Sequence, residues 1–384
     1  MSKRSQFPLV LVLPLKIAIS MGTRHGMGLF LEPVTSALGV DRETFSLTVA
    51  WQNLIHALPV FGILADLLGF RRIALLGGVV YGAGLWLASH SETALGLYTY
   101  LGGVVGIGIG LSGMIVVMGA VGQVAPPERR STAFGLVTVA FSIGMFIMAP
   151  LLQYLINLHG WSGALQVAGG LVLIISLLAL GLPGNSSKTE KSTDREAESE
   201  LTLLKTINGA MNHHGYLLLN VGFFVCGFHV AFIGTHLPSF LQAEGISIST
   251  ASWALAMIGL FNMFGSMIFG RMGDSLSKKN LLSLLYTLRA VVIAGFLAIP
   301  LNEITAIAFG AAIGSFGWPQ YPSQAALWHK YLGPGTSQPS GQLFFSATSL
   351  GPFLGSGLEA ECTMQPAPTP QSGWLPSRSD CLRG

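Results

Sequence analysis

The chain has 384 residues, of which 51% are hydrophobic and 10% charged; the mean hydropathy is +0.61 and the formal net charge +3. A water-soluble domain carries nearer a quarter of its residues as charges, so this composition excludes a soluble enzyme or a nucleic-acid-binding module and points to an integral membrane protein. Three cysteines exclude a disulfide framework.

Apolar runs of about 20 residues are read as spanning helices. The first, residues 8–31, follows a short basic N-terminus and lacks a small-residue cleavage site, so it reads as an uncleaved helix and not a signal peptide. Helices 2 to 6 are expected over residues 45–64, 73–89, 94–121, 132–155 and 162–182. Residues 183–213 change character, with Lys188, Glu190, Lys191, Asp194, Arg195, Glu196, Glu198 and Glu200 among serines and threonines, and read as a solvated linker. Helices 7 to 9 are expected over 215–237, 251–269 and 281–300, and helix 10 from residue 304. The fold class is therefore an all-α helical bundle in a membrane. Its first six-helix half is residues 1–182, its linker 183–213 and an incomplete second half 214–314.

Basic residues in short loops set orientation. With the N-terminus in the cytoplasm, that side receives Lys3, Arg4, Arg71, Arg72, Arg129, Arg130, Lys188, Lys191, Arg195, Lys205, Arg271, Lys278 and Lys279, while the other receives Arg42. The expected localisation is the cytoplasmic membrane, multi-pass. The two halves align as a repeat: Gly22, Arg24 and Pro33 fall on Gly227, His229 and Pro238, and Gly62 and Asp66 on Gly270 and Asp274.

Charges inside spans are costly and tend to face a cavity. Arg24, near the middle of helix 1 and surrounded by Gly22, Gly26 and Gly28, is expected to face one. There its permanent cation attracts an anion and binds a carboxylate through two N–H groups. The flanking glycines imply close packing or an unwound segment. Lys16 reads either as an interfacial anchor or as a cavity residue, Glu32 as interfacial, and Arg289 as a structural partner or a snorkelling side chain. His25, His56 and His229 are candidates for carrying a coupled proton, with His229 favoured by its repeat position. Gln52 and Asn53 are secondary substrate candidates, while Gln153 and Asn262 serve equally well as interhelical hydrogen-bond partners. The glycines of residues 106–110 lack the strand context of a nucleotide loop and read as a packing face of helix 4.

Between helices 2 and 3 stand Gly62, Asp66, Gly69, Arg71 and Arg72 in the order G-x-L-A-D-x-x-G-x-R-R. This loop resembles the gating motif of the major facilitator superfamily. Gly69 supplies the reversal, Arg71 and Arg72 hold the loop in the cytoplasm, and Asp66 caps a neighbouring helix or pairs with an arginine. A closer resemblance rests on Gly22, Thr23 and Arg24; Gly28 to Pro33; Trp51, Gln52 and Asn53; Gly222 to His229; and Thr235 to Pro238. These stretches look like bacterial carriers related to monocarboxylate and oxalate/formate transporters. The resemblance implies secondary transport of a small organic anion by alternating access, with a proton as possible co-substrate and no cofactor, metal or obligate protein partner. Animal monocarboxylate carriers place an acid–arginine pair in helix 8, whereas residues 251–269 carry no charge. The alternatives are an exporter of sugars or amphipathic drugs on the same fold, and a histidine-box membrane enzyme. The second lacks histidine spacing beyond His213 and His214.

The text changes at Ser315. Nine of the 19 prolines, three of the seven tryptophans and two of the three cysteines follow it. Read one base back, residues 316–333 and 357–365 yield words like helix 10 and the loop after helix 11 of the family. The expectation is that 315–384 is out of frame, that about ten spans are present with the last two missing, and that transport is impaired.

Overall fold

A computed structural model describes residues 7–58, 60–114, 116–117, 130–178 and 214–317. The linker and the tail from residue 318 lie outside these residues, while residues 315–317, where the frame is expected to change, continue a helix. Every regular element among the described residues is helical.

The first span is longer than expected and broken. Helix α1 (Phe7–His25) passes into a 3-10 segment (Gly26–Phe30) and then α2 (Leu31–Leu38). All five residues of the 3-10 segment are buried. The second span also breaks: α3 (Arg42–His56) ends before Pro59, and α4 (Val60–Leu68) resumes after it. A proline has no N–H to donate and disfavours helix in the residue before it, which accounts for the break. Gly69 then joins α4 to α5 (Phe70–Ala88) with φ +87°, a conformation only glycine adopts cheaply.

Helix α6 (Ala94–Ser112) is π-helical over Leu97–Val104. Its glycines form the expected packing face. A Cβ at Gly106 would lie 3.1 Å from the Gln52 carbonyl oxygen, and one at Gly108 would lie 2.5 Å from Tyr81 Cα. Helix α7 (Arg130–Leu178) holds two spans, separated at Gly160 with φ +70°. Pro150 lies inside its first span without interrupting the helix, so the turn falls at the glycine and not at the proline. The second half runs α8 (His214–Ala243), α9 (Ile248–Ser275), α10 (Lys278–Ala298) and α11 (Glu303–Gly317). Ser247 and Ser277 cap α9 and α10 by accepting from the amides of Thr250 and Asn280.

Six described helices are long and apolar enough to span a bilayer, and the Gly135–Ile174 stretch of α7 is long enough to supply two crossings. The core is continuous across the halves. It runs from Ile17, Phe30 and Tyr81 through Met148 and Leu152 to Leu255, Phe309 and Ile313. Two close approaches set its geometry. Helix α1 lies directly on the first span of α7, where a Cβ at Gly22 would be 2.5 Å from the Gly144 carbonyl oxygen. Helix α9 lies on a neighbouring face of the same span, where a Cβ at Gly259 would be 2.5 Å from Met145 Cβ. Small residues at such crossings let backbones approach where lipid gives no hydrophobic drive. The first span of α7 is thus shared by both halves.

Candidate functional site: the cavity between the halves

At the seam lies an open-mouthed pocket whose free interior space is about 30 Å³, or about 520 Å³ with the solvent at its mouth included. One wall comes from the first half: His25 of α1, with Met145 and Ala149 of α7. The other comes from His229, Val230, Ile233 and Gly234 of α8, Leu255 and Ile258 of α9, Arg289 of α10 and Ile313 of α11. Among the described lining residues of the two walls, the ionisable groups are two histidines and an arginine, with no carboxylate.

Of the residues singled out from sequence, His229 and His25 line this cavity. His25 is tied by Nδ1 to the Met21 carbonyl at 2.8 Å and meets the Phe141 ring edge-on at 5.3 Å. Arg24, its neighbour, points elsewhere and is not among the lining residues. Its Nη2 donates to Asn53 Oδ1 of α3 at 2.7 Å. Successive residues on a helix diverge by about 100°, so α1 turns His25 toward the seam and Arg24 toward α3. Gln52 is 1% exposed and donates to the Leu101 carbonyl of α6 at 2.9 Å. That bond ties α3 to α6. His56 contacts its own helix at the Gln52 carbonyl, 3.3 Å away.

Lys16 is not an interfacial anchor: it is 2% exposed and donates through Nζ to the Ala74 carbonyl of α5. Tyr81 of α5 reaches α1 in the same way, donating to the Ser20 carbonyl at 3.1 Å. Glu32 pairs with Arg42 at 2.5 Å, tying α2 to the start of α3. Gln153 bonds within its own helix, to Asn157 Oδ1 at 2.8 Å. Asn262 of α9 donates to Ser142 Oγ of α7 at 2.9 Å, a buried bond across the two halves. A second crossing lies at the 3-10 segment, where a Cβ at Gly28 would be 2.7 Å from the Thr235 carbonyl oxygen of α8.

In the loop motif, Gly62 is buried, Arg71 half-buried and Arg72 exposed. Asp66 lies on α4, and its side chain falls outside the described ones. Of the two readings given for Arg289, structural partner and snorkelling side chain, its bond to the Phe316 carbonyl fits the first. Arg289 does not snorkel: it is 1% exposed and takes part in the cavity wall. Its charge in an apolar helix was the available signal, and the direction it faces was the missing part.

Comparison with known proteins agrees with this architecture. The profile described as Major Facilitator Superfamily matches residues 16–356. Monocarboxylate transporter 12 of Rattus norvegicus is 27% identical over 275 residues, which cover 64% of this chain and 55% of that protein. The chain thus spans little more than half of that relative's length. An uncharacterized MFS-type transporter of Escherichia coli, YhjX, is 22% identical over 303 residues, 78% of this chain and 74% of the other. Among solved structures, an inward-facing, unoccupied bacterial homolog of the human lysosomal transporter Spinster superposes with TM-score 0.74 at 15% identity, covering 94% of this chain and 84% of the other. A D-xylose-proton symporter gives 0.68 at 15%, covering 92% and 89%. These likenesses, with the spans and the cavity at their seam, lead to one statement: the chain belongs to the major facilitator superfamily, a family of multi-pass membrane transporters and not of enzymes.

Proposed function

We propose that this protein carries a small organic anion, of the monocarboxylate class, across the cytoplasmic membrane by alternating access. The observation that carries the reading is the chemistry of the central cavity: its ionisable lining is basic, with His25, His229 and Arg289, and no carboxylate is among its described lining residues. An anion entering such a space meets positive potential inside low-dielectric walls, where electrostatic attraction is strong. Arg24, held by Asn53 beside His25, adds fixed positive charge on the first-half side. His229, on the opposite wall, donates a hydrogen bond to the substrate and is the group we assign to the coupled proton. His25 and His56 are the other candidates for that role.

The working units are residues 1–182 and 214–314, joined by the linker at 183–213. Alternating access follows from rocking of these units about the Gly28–Thr235 and Asn262–Ser142 crossings, with Asp66, Arg71 and Arg72 at the cytoplasmic gate. Kinship to a monocarboxylate transporter supports the substrate class. The rest of the wall, including Val230, Ile233 and Leu255, is apolar and accommodates a short alkyl chain. The same apolar lining, with the likeness to a D-xylose-proton symporter, favours a sugar or amphipathic substrate as the second reading.

Purified protein in proteoliposomes is to be offered labelled pyruvate or D-xylose, with and without an imposed proton gradient. Saturable pyruvate uptake that accelerates with an inward proton gradient is expected, at the reduced rate that follows from an incomplete second half. Uptake of D-xylose without pyruvate uptake would replace this reading by the second. A single cysteine at position 187 is expected to react with an impermeant maleimide only from the cytoplasmic side, and labelling from outside would overturn the orientation.

A further inference from the structure

Helix α10 turns much of its surface outward: Leu284, Val291 and Leu297 are all exposed. Its one arginine turns the other way. Arg289 is the largest fully buried side chain of the described residues, at 1% exposure. Its Nη2 donates to the Phe316 carbonyl of α11 at 3.2 Å and lies 3.8 Å from Cys226 Sγ of α8. Its Cζ stands 5.8 Å from the centroid of the Tyr286 ring. The guanidinium therefore sits where α8, α10 and α11 meet, and from there it joins His229 in the cavity wall.

Part of this arrangement is structural. The bond to the Phe316 carbonyl ties α10 to α11. Tying two helices together does not by itself call for a side chain that reaches a cavity at the seam of the two halves. Arginine is costly inside a bilayer, and such residues tend to serve a pathway. Cys226 and His229 stand nearly one turn apart on α8, so they share a face toward that cavity corner. The corner combines a planar cation, an imidazole and the apolar side chains of Val230 and Ile313. That combination matches one carboxylate carried on a short alkyl group.

We propose that Arg289 is the specificity-determining residue through which the second half reads the charge of the transported anion. The proposal rests on the organic-anion reading given above. A guanidinium offers two parallel N–H groups to the two carboxylate oxygens, which an ammonium cannot reproduce. The same residue then links substrate to the end of α11, so that a bound carboxylate changes what holds Phe316.

The test compares the 384-residue protein with its Arg289→Lys and Arg289→Gln variants in proteoliposomes, with pyruvate as the probe. Uptake gives KM and maximal rate, and thermal unfolding is followed with and without pyruvate. Arg289→Gln is expected to raise KM by about ten- to a hundred-fold, the range for losing hydrogen bonds to a charged group. The maximal rate should change far less, and the pyruvate-dependent rise in unfolding temperature should disappear. Arg289→Lys should recover part of the affinity. A residue that only ties α10 to α11 would lower the ligand-free unfolding temperature and leave KM unchanged, and that result overturns the inference while the anion reading stands. If Arg289→Gln does not assemble, Arg289→Lys decides: a KM raised severalfold supports the inference and an unaltered KM overturns it. Wild-type protein with neither pyruvate uptake nor a pyruvate-dependent unfolding shift overturns both together.

Discussion

Substituting Gly144 by alanine tests the packing argument at the crossing of α1 and α7. The added Cβ would overlap the Ala18 carbonyl oxygen and stand 2.5 Å from Ala18 Cα. Backbone atoms supply both obstacles, so no rotamer change relieves them. A carbon–oxygen contact settles at about 3.3–3.6 Å, which requires the two helices to part by roughly 1 Å. The neighbouring crossing gives no slack, because a Cβ at Gly22 would already be 2.6 Å from Met148 Cγ. Overpacking of this kind costs about 1–3 kcal/mol, and we expect Gly144→Ala near the upper end. The control is Gly135→Ala in the same helix, where a Cβ would meet nothing within 4 Å. There the substitution should be neutral or stabilising by up to about 1 kcal/mol, since glycine is the poorer helix former. Thermal unfolding of detergent-purified protein, read by circular dichroism, compares the two. Equal midpoints for Gly144→Ala and Gly135→Ala would refute the close approach of α1 and α7.

Three further outcomes follow from particular contacts. Asn262→Ala and Ser142→Ala should each destabilise the closed seam, and a double-mutant cycle on unfolding should return a coupling of about 0.6–1.7 kcal/mol, the range for hydrogen bonds between membrane helices. Arg24→Ala should weaken pyruvate binding in proteoliposomes, because it removes the fixed positive charge beside His25; unchanged KM removes Arg24 from the site. Glu32→Gln should change the unfolding free energy by less than about 1 kcal/mol, since its pair with Arg42 is partly exposed; a larger loss in equilibrium unfolding would show that the pair organises α2.

The positions of the spans and the loop from Gly62 to Arg72 were legible because both depend on composition and order along the chain. The rotation of each helix was not. In a soluble protein a polar face marks the outside, whereas here lipid-facing and core-facing residues are equally apolar. Arg24 and His25 show the consequence: adjacent in sequence, one meets Asn53 and the other the cavity. Arg289 and Lys16 were open to a snorkelling reading because long cations reach an interface from several depths. Their partners, the Phe316 and Ala74 carbonyls, are backbone atoms that no side-chain pattern announces. The break at the 3-10 segment was signalled by glycines at positions 22, 26 and 28, but its extent depends on Gly28 fitting against α8.

The bed on which α1 lies also dictates an order of assembly. Its broadest partner, the stretch of α7 around Gly144, is made roughly 130 residues after Ala18. At about 5–20 residues per second, that is a delay of roughly 6–25 s during synthesis. The side chains of Lys16 and Ser20 belong to a helix that has already entered the membrane by then. Helix α5 arrives much earlier, and it carries both the carbonyl that accepts from Lys16 and the tyrosine that donates to the Ser20 carbonyl. A nascent pair of α1 and α5, held by these two long side chains, would keep the buried lysine solvated by protein until α7 closes over it. Helix α9 then docks on a neighbouring face of a helix that the first half has already fixed in place.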